Sequence, residues 1–209
     1  MKASFKRTIA AFSGIVLGAL TVAASGSAAL AQDAVRVRGA IERVEGSTYV
    51  IKARDGAEVK VTLADNAQIA GVVKASLSDI KQGLFVGVTG MPQADGSQSA
   101  IEVHIFPEGM RGTGEGHYAW DLRPLSTMTN ANIDQVVTAV DGQTLTLRHK
   151  NGENKIFVPA DTPIVAYVLG DKSDLKPGAK VFIAAIKQPD GTLQGRAWRV
   201  GRDGVTPPM

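Results

Sequence analysis

Residues 107–132 read PEGMRGTGEGHYAWDLRPLSTMTNAN, Pro107 to Asn132, and this stretch divides the chain. Gly109, Gly112, Gly114 and Gly116 alternate with charged and polar residues, and Pro124 closes the run. Glycine costs backbone entropy in regular structure and proline removes a donor, so neither a long helix nor a central strand fits here. A connector of about 25 residues without periodicity is long for a compact protein, and such loops are usually functional or disordered. Tyr118 and Trp120 argue for order, because disordered linkers are poor in aromatics.

Outward from the connector, both flanks read as short strands separated by tight turns. On the N-terminal side, residues 35–106 hold Val35, Val37 and Ile41 on one face of an alternating run. Thr48 to Ala53 is β-branched and aromatic. Asp55-Gly56 is a hairpin signal, since glycine accepts the positive φ such turns need. Val59, Val61 and Leu63 alternate in the next strand, and Asp65 to Lys74 is less regular. Ser76 to Gly83 suits a short helical turn ended by glycine. Leu84 to Thr89 reads as a buried strand. In the last strand, Ile101, Val103 and Ile105 are expected inward, with Glu102, His104 and Phe106 toward solvent.

On the C-terminal side, residues 133–200 follow the same plan. Asp141-Gly142 answers Glu45-Gly46, Asn151-Gly152 answers Asp55-Gly56, and Ala160-Asp161 answers Ala64-Asp65. After the loss of one residue, Ser173 to Gly178 answers Ser78 to Gly83, and Asp190-Gly191 answers Asp95-Gly96. A nearly constant spacing across five turn markers points to an internal duplication. The predicted fold is all-β: two tandem five-stranded Greek-key barrels of oligonucleotide/oligosaccharide-binding (OB-like) type, over 35–106 and 133–200, joined by the connector. A barrel of some 70 residues is marginal alone, so the two are expected to pack together. Residues 201–209 read as a flexible tail.

The turn glycines, then Asp174-Leu175-Lys176-Pro177-Gly178 before an apolar strand, then Asp190-Gly191, resemble bacterial envelope domains grouped as domain of unknown function 5666. The resemblance covers both flanks and not the connector. It implies a small β-barrel and carries no catalytic residues.

Residues 1–31 read as a secretory signal: Lys2, Lys6 and Arg7, an apolar run from Thr8 to Val22, and the small-x-small site Ala29-Leu30-Ala31. Cleavage is expected after Ala31, with delivery to the periplasm. The chain carries 23 basic and 20 acidic residues, and the first 31 hold three basic and no acidic ones, which leaves 20 of each. A neutral mature chain offers no net field to nucleic acid or anionic membrane. No later apolar run is long enough to span a bilayer. There is no cysteine, hence no disulfide framework and no lipidated cysteine.

No His-Glu-x-x-His, Gly-x-Ser-x-Gly or phosphate loop occurs, so an enzyme is not expected, and no cofactor is implied. The expected function is binding or scaffolding in the envelope, with a protein or saccharide partner. The candidate surface is Arg111, Glu115, His117, Tyr118, Trp120, Asp121 and Arg123. Residues two apart in extended chain share a side, so Tyr118 and Trp120 can act together. Docked, they would bury roughly 300–450 Å², which either pins the connector or offers a stacking platform, with Arg111 and Arg123 as donors. A metal-handling role through His117, Glu115 and Asp121 is the alternative; Met110 and Met128 lie nearby, and no two histidines lie at a ligand spacing. His149 is expected at the surface beside a turn.

Overall fold

The computed structural model describes residues 34–209. The signal-peptide reading of residues 1–31 lies outside the described residues. Twelve strands carry the fold: β1 Ala34–Glu45, β2 Thr48–Ala53, β3 Glu58–Lys74, β4 Phe85–Pro92, β5 Gln98–Ile105, β6 Gly116–Ala119, β7 Thr127–Ala139, β8 Gly142–His149, β9 Gly152–Pro159, β10 Ile164–Leu169, β11 Lys180–Lys187 and β12 Leu193–Gly201. Between them sit single 3₁₀ turns at Leu77–Asp79, Glu108–Met110 and Lys172–Asp174. The described residues are all-β with a barrel architecture. Among the described residues, no helix is long and apolar enough to cross a membrane.

The pairing is not that of two self-contained tandem modules. No strand among β1, β2 and β3 pairs with β4 or β5. Instead β1 pairs with β2 and β11, β3 with β2 and β12, and β11 with β12, which closes a first ring of five strands. A second ring closes through β4, β5, β9, β8 and β7. Each ring therefore takes three strands from one side of the connector and two from the other. β3 is the reason on the N-terminal side. The irregular Asp65–Lys74 segment does not turn back but extends the strand to 17 residues. Its far end pairs with β10, Ala70 opposite Leu169 and Lys74 opposite Val165, and so carries the chain out of the first ring.

The two rings share one register. Ala40 faces Lys180 in the first ring, and Asn132 faces Phe85 in the second. A bulge lies between Ile41 and Arg43 in β1, and another between Ile133 and Gln135 in β7. A second pair of bulges lies between Ala184 and Ala185 and between Thr89 and Gly90. Trp198 lies opposite Ile69 in parallel pairing, and Val103 opposite Ile164. Between the first bulge and its turn, the β7–β8 hairpin runs further than β1–β2. Asp141-Gly142 and Glu45-Gly46 are therefore matching signals rather than matching register positions.

Each ring has its own core. Val37, Ile41, Tyr49, Ile51, Val61, Ile183 and Trp198 fill the first. Trp198 is fully buried, and its indole N–H donates to the Gly195 carbonyl at 3.0 Å, so no polar group is stranded there. Val86, Val88, Val103, Leu145, Leu147 and Ile156 fill the second. Alternation, which sends every second side chain inward, explains both sets. The bulge opposite Thr89/Gly90 shifts that alternation in β5: Ala100 joins the core beside Val103 and Ile105, and Ile101 does not.

A third cluster lies outside both cores: Ala70, Val72, Phe85, Phe106, Met128, Val165, Tyr167, Phe182 and Met209. It draws on strands of both rings and forms a seam. The C-terminal segment, expected to be flexible, is docked there. Met209 is 1% exposed, Arg38 Nε donates to the Met209 carbonyl at 2.8 Å, and Arg54 Nη2 donates to the Pro207 carbonyl at 3.1 Å.

Candidate binding surface on the connector

Residues 107–126 cross the seam by a 3₁₀ turn at Glu108–Met110, tight turns through Thr113 and Glu115, and the short strand β6. β6 adds to the start of β7, with His117 opposite Thr129 and Tyr118 opposite Met128. Past β6 the chain is closed by Ser126. Its hydroxyl donates to the Arg123 carbonyl at 2.7 Å, lies 3.1 Å from the Trp120 carbonyl and accepts from the Arg123 N–H, while the backbone N–H of Trp120 donates to the Ser126 carbonyl. Residues 127–132 are already β7 and belong to the second ring.

Tyr118 on β6 and Trp120 just past its end share one side of the chain, with ring centroids 6.0 Å apart at an edge-on angle. Trp120 packs into the seam cluster, 6.1 Å from Phe182. The Arg36 guanidinium sits 4.0 Å from its ring centroid, a close cation–π contact. Trp120 Nε1 is buried without a hydrogen-bond partner, so this indole is held by its faces alone. Asp121 next to it accepts two bonds from Arg38, at 2.6 and 3.1 Å, and lies 3.7 Å from Arg36. Partial burial would raise the Asp121 carboxyl, but the Arg38 hydrogen bond and the two arginine charges outweigh it and hold it below the usual range. Tyr118 is 37% exposed; burial of its other part pushes the phenol up.

The other candidate residues are dispersed. Arg111 is clamped by Glu108 and donates to Asn132 Oδ1 and the Gly83 carbonyl. Glu115 accepts from Lys150 N–H at 2.9 Å. For Arg123 the bonds are those of its backbone to Ser126. Glu115, His117 and Asp121 do not converge: among the described residues no group of three metal-ligating side chains exists. Met128 is buried and Met110 partly buried in the seam, where both act as packing.

The structure does bring two histidines together that sequence spacing keeps apart. The rings of His117 and His149 are nearly parallel with centroids 6.5 Å apart, because β6 and β8 both flank β7. His117 Nδ1 is 2.8 Å from Thr129 Oγ1, and His149 Nε2 is 2.9 Å from Asn154 Oδ1. Burial, then the neighbouring His149, lowers the His117 pKa.

No local pattern marks the buried polar group around Glu102 and His104. Glu102 and His104 were expected to face solvent; they point away from the second core but are 0% and 3% exposed, since the seam covers them. Thr89 Oγ1 donates to Glu102 at 2.5 Å, and His104 Nδ1 lies 3.2 Å from the same carboxylate. His104 stacks on Tyr167 with centroids 5.0 Å apart, and the Arg199 guanidinium carbon lies 4.9 Å from the Tyr167 ring centroid. Burial drives the Tyr167 phenol strongly up, so it stays protonated.

Fold and site together define an all-β barrel protein whose ionisable groups are held mostly by one another. Residues 38–104 match the family described as Domain of unknown function (DUF5666), and over that segment the chain is DUF5666-like. The matched segment runs from β1 to β5 and is therefore divided between the two rings. No curated protein and no solved structure matches the chain.

Proposed function

We propose that this is an exported, non-enzymatic binding or scaffolding protein of the envelope, and that β6 is its binding ridge. The observation that carries the reading is the contrast between Tyr118 on that strand and Trp120 just past its end. Trp120 is consumed by the seam, whereas Tyr118 stays 37% exposed on the same side, braced edge-on by Trp120. A braced aromatic face costs little entropy to use and suits a sugar ring or an apolar side chain of a protein partner. The test is capture from envelope extract by the wild-type chain and by Tyr118→Ala. A partner held by the first and lost by the second, at equal melting temperature, supports the ridge; equal capture by both sinks it.

The metal-handling reading keeps one favouring observation, the His117–His149 juxtaposition. Two imidazoles alone make a weak site compared with the three or four ligands usual for zinc. Micromolar Zn²⁺ or Cu²⁺ that leaves both imidazole signals unmoved in NMR rejects it.

As to descent, the matching registers and bulges of the two rings support duplication of one five-stranded, OB-like unit, followed by reciprocal exchange of the last two strands. The short 3₁₀ turn before the fourth strand recurs in both halves, at Leu77–Asp79 and Lys172–Asp174, in keeping with that origin.

A further inference from the structure

Arg199 is the one buried cation of the seam whose charge the fold does not neutralise at contact distance. It is 5% exposed. Its hydrogen bond runs from Nη1 to the carbonyl of its own neighbour Trp198 at 3.2 Å, and its guanidinium carbon lies 4.9 Å from the Tyr167 ring centroid. Among the described residues no carboxylate forms an ion pair with it, although ten Lys or Arg ion pairs exist elsewhere. Glu102, the buried acid beside His104, is already engaged by Thr89 and His104. Burying a charge without a partner is costly, and such groups are normally paired.

The same arginine lines an open cleft of about 440 Å³ between the β3–β10 pair and the 3₁₀ turn of the connector. Its walls are Ile69, Ala70, Pro107, Met110, Val168 and Leu169. Leu169 stands at the mouth, 89% exposed, an apolar side chain with nothing over it. The volume falls in the range of small-molecule sites, and apolar walls with a single charged group on the floor are how such sites fix the orientation of a ligand. Tyr118 does not line this cleft, so it is a second site, separate from the proposed ridge.

We infer that the cleft binds a small aliphatic carboxylate, its acid group on Arg199 and its chain along Met110, Val168 and Leu169. The planar guanidinium carries five N–H donors, so with Nη1 bonded to the Trp198 carbonyl and the Tyr167 phenol as a second neighbour it still offers a fork that matches a carboxylate in bidentate fashion. The apolar walls supply the rest of the affinity and disfavour small hydrophilic anions such as acetate, which have no chain to bury.

Titration calorimetry of the purified full chain with decanoate, against 1-decanol and acetate, tests this. Decanoate is expected to bind saturably with one site, at least tenfold tighter than decanol, and acetate not at all. Arg199→Met, of similar length and no charge, is expected to erase the difference between decanoate and decanol. Leu169→Glu, at an exposed position, replaces an apolar wall along which the chain of either ligand lies, so it is expected to weaken decanoate and decanol alike, at least fivefold, while keeping the preference for the acid. Equal binding of acid and alcohol by the wild type, no saturable binding of either, or decanoate binding indifferent to both substitutions would overturn the inference. Should Arg199→Met fail to fold, the acid-against-alcohol comparison and Leu169→Glu still decide it. Loss of this site leaves the Tyr118 ridge untouched, because Tyr118→Ala is read out on a different surface.

Discussion

Replacing Trp120 with alanine separates a connector that is pinned from one that merely lies nearby. The indole packs into the seam cluster beside Phe182, with the Arg36 guanidinium 4.0 Å from its ring centroid. Full removal of a buried tryptophan costs about 3–5 kcal/mol, and Trp120 is only partly buried, so roughly half of that applies. The cation–π contact with Arg36 adds about 0.5–1 kcal/mol. Nothing is lost at Nε1, which has no hydrogen-bond partner to strand. The sum is about 2–3 kcal/mol, or a fall in melting temperature of about 5–10 °C for a folded unit of this size. Trp120→Phe keeps an aromatic face for Arg36 and Phe182 and gives up the unpartnered N–H and part of the ring area, so it is expected to recover about half of that fall. Differential scanning calorimetry of the three proteins measures both. A melting temperature unmoved by Trp120→Ala refutes the pinning, and Trp120→Phe as damaging as Trp120→Ala refutes the account of what pins it.

Gly87→Ala tests the buried polar stack: a Cβ there would lie 2.0 Å from His104 Nε2 and 2.6 Å from Asn130 Oδ1, so overpacking of about 1–3 kcal/mol is expected in a urea melt, and a neutral result would mean His104 is free to move. Acidification tests His117. Its folded pKa is depressed below the ordinary 6.5, so the unfolded chain binds the proton first, and stability falls as pH drops through 6.5 toward the lower folded value; the slope is expected to shrink in His117→Gln, and an unchanged slope assigns the effect elsewhere. A fragment of residues 34–111 tests the ring sharing. Because β3 runs straight out of its ring, the fragment is expected to form a homodimer exchanging β4 and β5, seen by light scattering; a stable monomer would show that the segment from Lys74 to Phe85 can fold back.

Strand identity was readable where alternation and turn chemistry agree. Thr48–Ala53 coincides with β2, and the inward sides of β1 and the first part of β3 are those of Val37, Ile41 and Val61. What failed was everything decided by contacts distant in sequence. Nothing local in Asp65–Lys74 says whether the chain turns back or carries on, so ring membership was invisible, and two tandem modules were the natural expectation. Glu102 and His104 alternate as solvent-facing residues do; they are buried only because the seam covers the outside of the second ring. For the same reason Met209 reads as a loose end and is packed. Of the connector residues, the sharing of one side by Tyr118 and Trp120 followed from strand geometry, whereas Arg36 and Arg38, which hold that side in place, lie some eighty residues earlier in the chain and carried no signal. The His117–His149 approach likewise depends on which strands neighbour β7.

Reciprocal ring sharing also sets an order of events during synthesis. The second ring lacks a member until Pro159 has emerged, and the first until Gly201 has. Through all that time β1, β2 and β3 wait with Val37, Ile41, Tyr49 and Ile51 uncovered and two ladder edges unsatisfied. The strands made first, β1 to β3, thus belong to the ring that is completed last, and their survival depends on how quickly β11 and β12 arrive.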